Sequence, residues 1–162
     1  MARPARFDED ELLDRGVALA AAGGPAAVTM AAVARAAGAP SGSLYHRFPS
    51  RAALLAALWL RTVERFQDGW HATVRAAAAA GDARDGCAAA ARFTVAWSRA
   101  HADEARVLLH GASAFDRPAW PAETRRRAAA GERALAQTLG ALARGLGRDD
   151  AAGRERVAVA TI

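Results

Sequence analysis

Residues 28–55 read VTMAAVARAAGAPSGSLYHRFPSRAALL, and the placing of apolar, turn and capping residues in this stretch decides the fold. Val33 and Ala37 face inward on a helix predicted over residues 30–37. Thr29 is its N-cap, since a hydroxyl before the first turn can accept from an otherwise unpaired backbone N–H. Gly38 stops that helix. A second helix is predicted over residues 40–47, with Pro40 at the first helical position, where its missing N–H costs nothing. Leu44 and Phe48, four residues apart, pack inward and leave Ser41, Ser43, Tyr45, His46 and Arg47 on an outward polar face. Pro49 breaks the chain, and Ser50 caps a long helix running to about residue 79. Two short helices joined by a glycine turn form a unit whose second helix fits the major groove of duplex DNA.

Working outward, residues 2–7 form a short basic arm. Asp8, followed three residues later by Glu11, marks the cap of a first helix over residues 9–22. Leu12, Leu13, Val17 and Ala20 fall on one face of it, and Gly23, Gly24 and Pro25 end it. Beyond Gly81 and Asp82 helices are predicted over residues 85–101, 103–110 and 122–145, with a loop over 113–121 holding Phe115, Pro118 and Trp120. A last helix starts near Asp149, and because Val157, Val159 and Ile162 sustain an apolar pattern to the end, it is expected to be cut short. The chain is therefore expected to be all-α, with a three-helix head over residues 1–50 and a helical body over 51–162.

Alanine makes up much of the apolar composition and buries little area, so the sparser Leu, Val, Phe and the four Trp organise the packing. The net charge is +5, and all 22 basic residues are Arg. That balance suits a polyanion, and it equally reflects GC-rich coding, which inflates Arg, Ala and Gly together. Distribution is more telling: residues 15–63 hold no acidic side chain but carry Arg35, Arg47, Arg51 and Arg61. The lone Cys87 excludes an intramolecular disulfide, and no Cys/His spacing resembles a zinc site. The longest uncharged run, residues 16–34, is broken by Gly23, Gly24 and Pro25, so no membrane span is expected and the compartment is expected to be cytoplasmic.

The positions Thr29, Val33, Ala34, Ala37, Gly38, Gly42, Leu44, Tyr45, Phe48, Arg51, Leu54 and Leu55, preceded by Leu12, Leu13 and Gly24, resemble the DNA-binding domain of TetR-type transcriptional regulators. The likeness covers about the first third of the chain by motif. Two departures stand out: Ala39-Pro40 where the family often has Val-Ser, and Arg47 and Arg51 where His or Lys is common. The resemblance implies that Ser41, Gly42 and Ser43 lie at base edges, that Tyr45 and His46 touch phosphate or neighbouring bases, and that Thr29, Arg47 and Arg51 hold phosphate. Short serines discriminate bases weakly, so part of the specificity is expected from DNA shape or from Arg47.

The resemblance also implies a homodimer on a near-palindromic double-stranded operator, with the last two long helices at a four-helix interface. Leu135, Leu139, Leu142 and Leu146 form a stripe there that serves equally as intrachain core. It further implies a small-molecule effector, expected to be apolar, in the helical body, releasing a repressor from DNA. Candidate contacts are Trp59, Thr62, Phe66, Trp70, Phe93, Trp97, His110, Phe115 and Trp120, with Thr94 and Ser98 as further polar anchors. Trp59, Phe66 and Trp70 recur at seven and four residues, and Phe93 and Trp97 at four, so core packing explains each singly. His71 and His101 read as surface or helix-end residues rather than metal ligands, Cys87 as a buried small residue, and Arg125, Arg126 and Arg127 as a solvated face. No catalytic residue, cofactor or metal is expected. The rivals are an enzyme, for which no dinucleotide fingerprint, P-loop or HExxH is present, and a helical adaptor that has lost DNA binding.

Overall fold

The computed structural model describes residues 8–161, and of Ser41 only the backbone. The expected arm over residues 2–7 and the terminal Ile162 lie outside the described residues. The architecture is all-α, with no strand among the described residues. In chain order the helices are α1 (Glu9–Gly23), α2 (Met30–Ala37), α3 (Ser41–Arg47), α4 (Arg51–Ala80), α5 (Ala83–Ala100), α6 (Ala102–Leu109), α7 (Gly111–Ala114), α8 (Ala122–Gly145) and α9 (Ala151–Thr161). Single 3₁₀ turns lie at Pro25–Ala27 and Arg117–Ala119. No described helix is long and apolar enough to cross a membrane.

Local signals explain most of these boundaries. Thr29 Oγ1 accepts from the Ala32 N–H at 3.1 Å, and Ser50 Oγ accepts from the Ala53 N–H at 3.1 Å, so α2 and α4 start where the hydroxyls stand. Gly38 takes φ 63°, ψ 24°, and the N–H groups of Gly38 and Ala39 close back on the Arg35 and Ala34 carbonyls. Four expectations need correction. Asp8 precedes α1 but makes no side-chain cap, leaving its carboxylate to act only through the helix dipole. Pro40 is the N-cap of α3 and not its first helical residue, because ψ 139° keeps it extended. Helix α5 starts earlier than residue 85, because Asp82 and Asp85 form a reciprocal capping box across its first turn. The loop predicted over 113–121 is shorter than expected, holding the end of α7 and a 3₁₀ turn.

By compactness the chain groups into two units: residues 1–62 with 102–126, and residues 63–101 with 127–162. In the first, Leu12, Val28, Val33, Leu44, Leu54, Leu55 and Leu58 are fully buried and join α1 to α4 around one core. Helix α6 packs along α1, with Val107 fully buried. In the second, α5 packs on α9, and the Thr161 carbonyl accepts from both Trp70 Nε1 at 3.1 Å and Thr94 Oγ1 at 3.0 Å. Gly69 matters there because a Cβ at that point would lie 2.6 Å from the Phe93 ring, so only glycine lets the ring rest on the α4 backbone.

Candidate nucleic-acid interface

The polar face of α3 exists because its apolar face is fixed. Leu44 is fully buried and Phe48 nearly so, which sets the rotation of a helix only seven residues long. Gly42, Tyr45 and His46 are consequently exposed, Tyr45 by 56%, and Ser43 and Arg47 are half-exposed. A Cβ on Gly42 would meet nothing within 4 Å, so the fold itself makes no demand for glycine there. The backbone of α3 is open at that point. The side chain of Ser41, a predicted base-edge residue, is outside what the structure describes.

The three residues expected on phosphate differ in what else they do. Thr29 is exposed, and while its oxygen caps α2, its hydroxyl proton is available to an acceptor. Arg47 lies 4.0 Å from the Glu9 carboxylate. Arg51 donates through Nε to the Val28 carbonyl at 2.8 Å and through a terminal nitrogen to the Pro25 carbonyl at 2.7 Å. Two of its five N–H donors therefore pin the α4 N-terminus to the segment before α2, a bond across 23 or more residues that no local pattern announces. A second pin, also absent from the sequence reading, is Arg61. Its guanidinium bridges α4 to α1 through Asp14 at 2.6 Å and through the side chain and carbonyl of Asp10 at 2.9 and 3.0 Å. Spacing along α4 marks Arg61 as the sole cation in its apolar stretch over residues 52–63, which was the available hint.

The residues proposed from sequence as effector contacts fall into both units. In the first unit Trp59 and Phe115 are buried with ring centroids 5.3 Å apart, and the exposed His110 lies 6.4 Å from Phe115. Trp120 donates to the Phe115 carbonyl at 2.7 Å, and the buried Thr62 hydroxyl donates to the Leu58 carbonyl at 2.8 Å. In the second unit Phe66 packs against Phe93 and Trp97 at 5.8 and 5.1 Å. Trp70 is fully buried with its indole N–H on Thr161. Within each group, aromatic rings pack against one another. Leu142 of the α8 stripe is buried, and Leu135, Leu139 and Leu146 are half-buried.

Of the remaining candidates, His71 is half-buried rather than at the surface, with Nδ1 3.0 Å from Thr138 Oγ1. Burial, and then the charge of Arg75, lower its pKa, against a smaller opposing effect of Asp68. Cys87 is half-buried, and desolvation pushes its thiol up, away from the reactive thiolate. Arg125, Arg126 and Arg127 are exposed, with Arg126 paired to Glu123 and Arg127 to Glu64 at 3.0 Å.

Residues 12–58, which run from within α1 to the first turns of α4, match the family described as bacterial regulatory proteins, tetR family. No curated protein matches the chain.

Proposed function

We propose, from the match of residues 12–58 to the tetR family of bacterial regulatory proteins, that the chain is a DNA-binding transcriptional regulator of that family with a helix-turn-helix head, a ligand-responsive repressor that binds its operator as a homodimer. The observation that carries this reading is the presentation of α3: Leu44 and Phe48 are locked into the core while Gly42, Ser43, Tyr45 and His46 face outward. With residues 1–50 as the reading head, Ser41, Gly42 and Ser43 meet base edges and Tyr45, His46 and Arg47 flank them. Thr29 and Arg51 hold phosphate from either side, and the open space at Gly42 lets a duplex approach the backbone.

Dimerisation through α8 and α9, within the regulatory part over residues 51–162, is supported by apolar surface that one chain leaves incompletely covered. Leu135, Leu139 and Leu146 are half-buried and Val159 is 80% exposed. An effector reaching Trp59, Thr62, His110, Phe115 and Trp120, or Phe66, Trp70, Phe93 and Trp97, has to part groups already in contact. That supports an induced opening and not a preformed cavity at those positions. Helix α4 carries residues of both groups and begins at Arg51, so its displacement is the proposed link between effector and DNA. A differential affinity of about 1–3 kcal/mol suffices for a useful switch. No membrane, cofactor or metal takes part, and the site of action is the cytoplasm.

The test is a gel shift on the DNA flanking the protein's own gene, run over a range of salt. A specific, salt-sensitive complex with a two-fold footprint is the expected result. A helical adaptor without DNA binding would give no specific complex at any salt, and that outcome refutes the proposal.

A further inference from the structure

An open groove of about 350 Å³ lies in the unit of residues 63–101 and 127–162, and none of the sequence-derived effector candidates lines it. Val74, Arg75 and Ala78 of α4 form one side, Ala83 the end of α5, and Gln137, Thr138, Ala141 and Leu142 of α8 the other. Its volume falls in the range of small-molecule sites, whose walls are mostly apolar with a few fixed polar groups. Five of the eight lining residues are Val, Ala or Leu. The polar exceptions are Gln137, Thr138 and one charge, the guanidinium of Arg75.

That charge is uncompensated. Arg75 is exposed at the rim of the groove and makes no hydrogen bond or ion pair with any described residue, so its donors face the open side. The acidic groups near the α5 end of the groove are occupied at that helix start, Asp82 accepting from the Arg84 and Asp85 N–H groups and Asp85 from the Asp82 N–H. Thr138 is held from behind by its bonds to the Ala134 carbonyl and to His71 Nδ1. An apolar slot with a single unpaired guanidinium at its edge matches a molecule with an apolar body and one anionic head, since a planar carboxylate meets the Arg fork through two parallel bonds.

We propose that this groove binds an amphipathic monocarboxylate of the medium-chain fatty-acid type, with the carboxylate on Arg75 and the chain along Val74, Ala78, Ala141 and Leu142. The assignment does not depend on what the head reads or on which molecule releases it. Calorimetric titration of the full chain with decanoate, with decanol as the uncharged control, tests it. One decanoate per chain is expected. Arg75→Gln should weaken decanoate about tenfold or more, the cost of losing a charged hydrogen-bond partner, and change decanol by less than twofold. Ala141→Trp, at an exposed groove position, should abolish both while leaving the circular dichroism unchanged. Absence of decanoate binding to the unsubstituted chain, an unaltered affinity in Arg75→Gln, or full binding by Ala141→Trp overturns the proposal. So does binding that disappears in step with self-association, which would put a second copy of the chain in the groove. DNA release by some other compound without decanoate binding would sink this site and leave the regulator reading intact.

Discussion

Arg61→Met removes the clamp between α4 and α1 while keeping a stem of similar length against the core. The Arg61 side chain is 13% exposed, and the side chains of Asp10 and Asp14 are each 63% exposed, so each ion pair sits between a surface pair and a buried one. Solvent screening limits each to about 0.5–1 kcal/mol, and the bond to the Asp10 carbonyl adds about 0.5–1 kcal/mol. Against this, Arg61 Nε is buried with no hydrogen-bond partner, and its removal recovers about 1 kcal/mol of desolvation. The net loss is about 1 kcal/mol, equivalent to a Tm lower by about 3 °C for a chain of this size. A double-mutant cycle with Asp14→Asn isolates the direct term, and chemical denaturation followed by circular dichroism should give a coupling of about 0.5–1 kcal/mol at low salt. The coupling should shrink in about 1 M salt, where the Debye length falls to about 3 Å. A coupling indistinguishable from zero at low salt refutes the claim that this pair fastens α1 to α4.

Three further outcomes are expected. Gly38→Ala should cost about 1 kcal/mol in denaturant titration, from the left-handed backbone alone, because a Cβ there meets nothing within 4 Å; an unchanged midpoint would show that the α2–α3 turn tolerates rearrangement. His71 has a lowered pKa in the folded chain, so as pH falls below about 6.5 the unfolded chain takes up a proton that the folded chain resists, and stability declines down to the folded pKa. Tm measured at pH 7.5 and at pH 5.5 should therefore drop less in His71→Gln than in the unsubstituted chain, and equal drops would exclude His71 as a source of acid sensitivity. Arg51→Ala should lose about 1–2 kcal/mol of stability through the Pro25 and Val28 carbonyls. It should also weaken operator and random DNA alike while flattening the salt slope by about one; a stability loss with an unaltered slope would confine Arg51 to its carbonyls.

The head was legible from its residues because each of its signals acts within about one helical turn. Thr29, Gly38 and Ser50 cap the backbone groups nearest to them, and the Leu44–Phe48 interval orients α3 before any long-range contact forms. Where neighbouring local signals compete, the reading slipped by a residue or more. Pro40 stays extended outside α3, and Asp82 starts α5 ahead of Asp85 because the two acids cap each other. The aromatic intervals identified which residues turn inward but not their partners, because helical spacing fixes a direction around the axis and carries no information about the opposing helix.

Sequence alone determined the eight longer helices, their order, and the residues that α3 turns outward, since backbone hydrogen bonding and amphipathic spacing are satisfied among near neighbours. Tertiary structure alone decided what lies between helices. Arg61 meets Asp10 and Asp14 from 51 and 47 residues away, and the groove beside Arg75 exists only because α8 comes to lie against α4 and α5. Both depend on how side-chain volumes pack between distant segments, a property of the assembled chain that no local pattern encodes.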